Sequence, residues 1–197
     1  MRLARLAFAA LLLLAAPALA LALDAGDRSF ARGRVGAIVI GVTKPADLAK
    51  IFGAGNVRYE TMGYEGGTTP GAYIFYDSPD FLQVMFDEDG KRIDSVIIGG
   101  RNWVSTSGLR TGISAAQLER INGRPFKFQG FGADEAGRVY ADGPALKAFT
   151  VRIGESRGSQ TALKHFRGEA VFSSRHPAFK TIRFEVTFIH VDAAPRD

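Results

Sequence analysis

Two stretches of the chain open and close alike, and they constrain what everything around them must do. The first runs from Gly41-Val42-Thr43 through Leu48 and Ile51 to Gly53. The second runs from Gly112-Ile113-Ser114 through Leu118 and Ile121 to Gly123. Threonine and serine are good helix N-caps, because a side-chain oxygen accepts from an orphan N–H of the first turn. Pro45 is tolerated in a first turn. Leu48 with Ile51, and Leu118 with Ile121, give each helix one apolar stripe. Gly53 and Gly55 end the first helix and Gly123 the second, since glycine reaches the left-handed conformation cheaply. The copies differ in one spacing: four residues separate Thr43 from Leu48, but three separate Ser114 from Leu118. Neither helix is long enough to stand alone, so each must lay its stripe on a sheet.

Strand-like runs surround both copies. "VGAIVI" precedes the first and "NVRYETMGY" follows it. The Gly-rich "EGGTTPG" reads as a loop, and "AYIFYD", "FLQVMFD" and "RIDSVIIGG" come after it. Leu82, Val84 and Phe86 alternate with Phe81, Gln83 and Met85, which is the period of a strand with one buried face. "DEDGKR" carries Asp-Gly hairpin chemistry. After the second copy come "RPFKFQGF", "RVYADG" and "ALKAFTVRI", then "SQTALKHF" as a short helix, and the closing strand "TIRFEVTFIHV". In that strand Ile182, Phe184, Val186 and Phe188 fall on one side. The pattern predicts an α+β fold, a tandem helix-plus-antiparallel-sheet repeat. The first unit covers 35–102, and the second covers 103–197 with a C-terminal strand extension. Polar, glycine-containing residues 23–34 read as a flexible lead-in.

The first 22 residues stand apart. Arg2 and Arg5 precede the apolar run Leu6–Ala16, and Pro17 leads into alanine-rich A-x-A sites ending at Ala20 or Ala22. That layout is a cleaved signal peptide rather than a retained membrane anchor, and no other segment is apolar enough to span. The mature chain is then periplasmic or secreted. Cleavage removes two arginines and lowers the net charge from +5 to +3. The absence of cysteine excludes disulfides, thiol catalysis, thiolate metal sites and a lipid-modified N-terminal cysteine. Stability must come from packing, which a 46% hydrophobic fraction allows.

The helix start "G-[VI]-[TS]", the apolar pair, the closing glycine and the antiparallel strands together resemble a bacterial module. It is the repeat of β-lactamase inhibitor protein (a BLIP-like fold) and of small outer-membrane-assembly lipoproteins. The resemblance covers about 36–100 and 108–153, and it implies a non-enzymatic protein that binds other proteins. "RNW" with "GLRTGISAAQLERINGRPFKFQGFGADEAGRV" is also similar to a group of uncharacterised exported bacterial proteins. That group shares a tryptophan, a Gly-x-[ST] helix start and "NG-[KR]-PF" followed by "GFG-x-D". The likeness implies a shared fold.

Few residue types gather for chemistry. "GESRG" matches G-x-S-x-G, with Ser156, Glu169 and His176 or His190 in triad order. Only 41 residues follow Ser156, too few for the parallel sheet such an elbow needs, and no "HGGG" supplies an oxyanion hole. His165, His176 and His190 have no H-x-x-x-H or H-x-H spacing, so no metal is expected. "DEDGKR" lacks the glycine and glutamate of a calcium loop. Basic and aromatic residues interleave over 164–180 and read as a solvated face, not a nucleic-acid contact.

Binding candidates are easier to name. Phe131 between Gly130 and Gly132, followed by Asp134 and Glu135, reads either as an exposed aromatic rim or as a loop whose ring tucks inward while Asp134 caps a turn. Trp103 is either a plug between the repeats or an interface anchor. Tyr64 and Glu65 sit in the Gly-rich stretch 63–73, a second candidate rim. The expectation is an exported, non-enzymatic protein-binding module with a partner in the cell envelope and no cofactor. The alternatives are a periplasmic binder of a small apolar ligand, using Phe75, Phe81, Phe126, Phe128 and Phe131, and a serine hydrolase through Ser156.

Overall fold

Alternating apolar residues build the largest element of the molecule, an antiparallel sheet of six strands in the order β11-β13-β7-β6-β5-β4. A computed structural model describes residues 26–64, 66–132, 134–155 and 161–194. Residues 1–22, read as a signal peptide, and Ser156 lie outside them. The strands are β1 (Ser29–Ala31), β2 (Arg34–Val35), β3 (Ile38–Val39), β4 (Val57–Tyr64), β5 (Gly67–Ile74), β6 (Leu82–Phe86), β7 (Ile93–Ile98), β8 (Val104–Ser105), β9 (Lys127–Gln129), β10 (Val139–Tyr140), β11 (Thr150–Glu155), β12 (Val171–Ser173) and β13 (Phe184–Asp192). The helices are α1 (Leu48–Phe52), α2 (Ala115–Asn122), α3 (Thr161–His165) and α4 (Pro177–Thr181). The fold is thus mixed α and β, mostly sheet with few helices. No helix among the described residues is long and apolar enough to cross a membrane.

Strands β4 to β7 form a simple meander. Its inner face carries Ala72, Ile74, Leu82, Val84, Val96 and Ile98, and β13 adds Ile189 and Val191, all fully buried. Each such leucine, isoleucine or valine contributes about 1.5–3 kcal/mol. Helix α1 contacts β4 and α2 lies along β13. Leu48 and Phe52 from the first helix and Leu118 from the second enter the same core.

Several sequence expectations change here. The lead-in 23–34 is structured from Ser29 on. Strand β1 pairs antiparallel with β2 and parallel with β8. Phe30 is 1% exposed and packs edge-on to Phe149. The polar residues that suggested flexibility bond one another: Arg34 Nη1 reaches Asp27 at 2.7 Å, and the Ser29 N–H donates to Asp27 at 2.8 Å. "VGAIVI" splits into β2 and β3 at Gly36, whose φ is +52°. A Cβ there would come within 2.9 Å of the Trp103 ring. The loop expected over 63–73 is mostly strand. Tyr64 pairs with Gly67, so β4 and β5 meet in a tight turn with Gly66 at φ 96°.

The C-terminal half of the chain is less regular. Strand β13 does not keep Phe184, Val186 and Phe188 on one side. Arg152 pairs with Phe188 and Ile153 with Val186, so Thr187 is bulged out and the alternation reverses. Ile189 and Val191 point inward instead, and Phe188 turns to the other face beneath the Arg152 guanidinium, 5.3 Å from its ring centre. The stretch 164–180, expected to be a solvated face, contributes β12 and α4. Phe166 and Phe179 are buried there against Phe128 at 5.2 and 5.1 Å between ring centres. A small sheet in the order β10-β9-β12 backs this phenylalanine cluster.

Candidate functional site

The connection from β5 to β6, residues 75–81, carries the non-glycine residues with positive φ among the described residues. Phe75 and Asp77 both have positive φ, 52° and 57°, without being glycine. Such a conformation is uncommon and costs energy for an aromatic residue, so neighbours must hold it. Phe75 meets Phe52 edge-on at 5.7 Å and lies under the Arg28 guanidinium at 5.2 Å. Ser78 Oγ donates to the Phe75 carbonyl at 2.7 Å and accepts from the Asp80 N–H at 3.1 Å.

Asp80 is the hub of this connection. Its carboxylate accepts from Arg28 Nε and Nη2 at 2.8 and 3.3 Å, and from Asn102 Nδ2 at 2.8 Å. Its carbonyl accepts from Trp103 Nε1 at 2.9 Å. The Arg28 hydrogen bond, helped by Asn102, holds the carboxyl below its ordinary range against the opposing effect of burial. Arg28 also lies over the Trp103 ring, 5.0 Å from its centre.

What this scaffold presents is Tyr76, 61% exposed. Tyr76 sits 5.5 Å from Tyr73 and 5.7 Å from Phe81, the latter edge-to-face. Arg58 from β4 lies over both tyrosines, at 5.9 and 5.3 Å, and pairs with Glu60. These side chains form one surface patch on the β4–β6 side of the large sheet. Its content is aromatic area, a guanidinium and phenolic hydroxyls, the residue types enriched where proteins dock.

The sequence candidates distribute differently. Trp103 is fully buried and is no contact residue; it anchors the Tyr76 connection from below. Tyr64 ends β4 with its backbone paired to Gly67, and Glu65 lies outside the described residues. Phe131 is half-buried and stacks on Phe184 at 5.6 Å, so its ring belongs to the phenylalanine cluster. Its N–H donates to the Phe166 carbonyl and its own carbonyl accepts from Gly168, which pins the two segments together. Asp134 is exposed, and its carbonyl accepts from Arg152 Nη1 at 2.9 Å. These residues do not converge: Tyr64 lies on the β4 edge of the large sheet, and Asp134 is tied to β11 at the other. The five phenylalanines assigned to an apolar ligand do not share a chamber either. Phe81 lies in the Tyr76 patch, while Phe126 and Phe128 are packed among other rings.

Of the triad partners considered with Ser156, His176 is held at the start of α4, its Nδ1 accepting from Ala178 at 3.2 Å. His190 lies in β13, with its ring pushed below its usual range by burial and Asp192 and Asp94 opposing the shift. Among the described residues no group of three or more His, Asp or Glu is placed to hold a metal. The Tyr76 connection escaped the sequence reading because "AYIFYD" scores as strand throughout. Asp77, Ser78 and Pro79 directly after Tyr76 were the available signal, being turn residues by chemistry.

No family model matches the chain, and no curated protein does. Among solved structures it is similar to the uncharacterised protein yfeY from Escherichia coli. That similarity covers 69% of this chain and 80% of that one, at 13% sequence identity and a TM-score of 0.41.

Proposed function

We propose that the chain is an exported, non-enzymatic protein-binding module of the cell envelope, a tandem α+β repeat of the β-lactamase-inhibitor-protein kind behind a cleaved signal peptide. The docking surface is the Tyr73–Tyr76–Phe81 patch with Arg58. One observation carries the reading. Tyr76 is left exposed on a connection whose two strained residues are clamped by Arg28, Asp80, Asn102 and Trp103. Strain kept at a surface aromatic is a recurring mark of a pre-organised contact. Tyrosine and arginine are also the side chains that most often dominate binding energy at an interface. Export is supported by residues 1–22 alone.

The test is a crosslinked pull-down of the tagged mature protein from its native envelope, read by mass spectrometry. We expect one reproducible partner, lost from a folded Tyr76→Ala/Arg58→Ala double variant. Retention of the same partner by that variant would move the surface elsewhere, and recovery of none would overturn the reading.

A further inference from the structure

A cleft of about 680 Å³ lies between residues 101–113 and α2. Three arginines line it, Arg101, Arg110 and Arg120, and no aspartate or glutamate does. Elsewhere arginines find carboxylates: Arg28 pairs with Asp80, Arg34 with Asp27, Arg92 with Asp87 and Arg124 with Asp142. Within the cleft none of the three takes part in an ion pair among the described residues, so positive charge gathers there without an internal counter-charge.

Two neighbouring features add to this. Gln117 Oε1 accepts from the Ser114 N–H at 3.0 Å and the Ser114 hydroxyl at 3.1 Å, which fixes the amide and leaves its NH2 free to donate. The cleft also has an apolar side formed by Ile113, Ile121 and Val104, and Val104 is 40% exposed. Guanidinium forks match phosphate oxygens in pairs. Apolar surface beside them favours a ligand whose phosphate carries a hydrocarbon part.

We propose that this cleft binds a phosphate group joined to an apolar chain, the chemistry shared by a phospholipid headgroup and a free alkyl phosphate. Asn102 lines the cleft and also bonds Asp80 beneath the Tyr76 patch, but the cleft's arginines and those of the patch are different residues, so each site can be tested with the other unchanged.

Calorimetric titration of the full mature chain tests it with dodecyl phosphate, inorganic phosphate and dodecyl maltoside as probes. Dodecyl phosphate binds, and each of the other two binds at least tenfold more weakly because one half of the recognition is missing. The triple variant Arg101→Gln/Arg110→Gln/Arg120→Gln loses at least tenfold in affinity. A charge-matched control, Arg32→Gln/Arg167→Gln/Arg175→Gln, keeps it. Equal losses in both triples would reduce the effect to net charge and overturn the site, as would unchanged binding by the cleft variant or no binding by the native chain. Inorganic phosphate binding as tightly as dodecyl phosphate would overturn the apolar half. Flotation with vesicles of phosphatidylglycerol in phosphatidylcholine then assigns the source. Co-flotation that the cleft triple abolishes indicates a lipid headgroup, and binding of free dodecyl phosphate without co-flotation indicates a soluble ligand.

Discussion

Thr43 and Ser114 occupy matching places in two similar stretches, yet only one of them caps a helix. Ser114 Oγ accepts from the Gln117 N–H while Gln117 reaches back to the Ser114 N–H. This reciprocal box starts the eight-residue helix α2, which ends on Gly123 in the left-handed conformation. Thr43 turns the other way: its Oγ1 accepts from the Val39 N–H at 2.9 Å and closes the turn after β3. The first helix then begins late, with a 3-10 turn at Pro45–Asp47 followed by the five residues of α1. Lys44, the residue before proline, is extended at φ −85° and ψ 144°, as a pre-proline residue prefers. The extra residue in the first copy therefore takes over the boundary that Thr43 would otherwise hold. One residue and one proline convert a capped helix into an uncapped pair of turns on the same sheet.

The buried stripes are where the copies should behave alike. Leu48→Ala and Leu118→Ala each remove a fully buried leucine and should each cost about 2–5 kcal/mol, measured as urea unfolding midpoints. A cost confined to one of them would mean that the helices do not do equivalent work. At the closing glycines the copies should part. Gly53 sits at φ 87° and ψ 133°, a region close to glycine-only, so Gly53→Ala should cost about 2–3 kcal/mol. Gly123 is at φ 77° and ψ −4° with open space around it, and Gly123→Ala should cost about 1 kcal/mol. Equal values would remove this distinction.

At the opening residues the order should reverse. Ser114→Ala should cost about 1 kcal/mol and Thr43→Ala a few tenths, read by thermal unfolding, and a larger loss at Thr43 would show that it does support its helix. A comparably small effect separates the surroundings by pH. Asp27, beside β1, is lowered from its ordinary 3.8 to about 2, chiefly by its hydrogen bond with Ser29 and also by Arg34. A carboxylate lowered in the folded state stabilises it above the unfolded value, and that stability is lost as pH falls from about 4 to about 2. After solvent screening the loss should be about 0.5–1 kcal/mol. Hydrogen exchange near pH 3 should therefore quicken over 29–39 before it quickens over 115–122, and Asp27→Asn should abolish the difference.

Local rules were legible wherever local contacts decide. The Ser114 cap, Gly123, the inward set Leu82, Val84 and Phe86, and the hairpin turn in which Asp87 accepts from the N–H groups of Lys91 and Arg92 all follow from spacing and chemistry, while the return bond from Gln117 went unread. What was not legible depends on distant partners. Phe30 is buried because Phe149 meets it, and the Thr187 bulge exists because β11 and β13 share a register. Phe166 and Phe179 are interior because Phe128 lies across from them. The candidate site divides in the same way. Trp103 read either as a plug or as an interface anchor, and what decides is distant: its indole N–H lies 2.9 Å from a carbonyl 23 residues earlier in the chain, and the side chain is fully buried. Tyr76 was passed over because the strain that exposes it is a tertiary matter.

The place of β13 sets an order of events for the growing chain. It is the last of the described strands, yet it lies between β7 and β11, one strand in from the edge of the large sheet. The meander β4 to β7 is built from sequence neighbours, and such local pairings form quickly. Its β7 edge nonetheless stays open until residues 184–192 arrive, and β11 has no long strand to pair with before then. Ile98 and Val96 consequently wait for Ile189 and Val191 to reach them. An early stop before Phe184 would leave a half-sheet with a sticky apolar margin, prone to pair with other chains. A nascent or threading chain thus cannot settle early: delivery of residues 184–192 and closure of the sheet are one event.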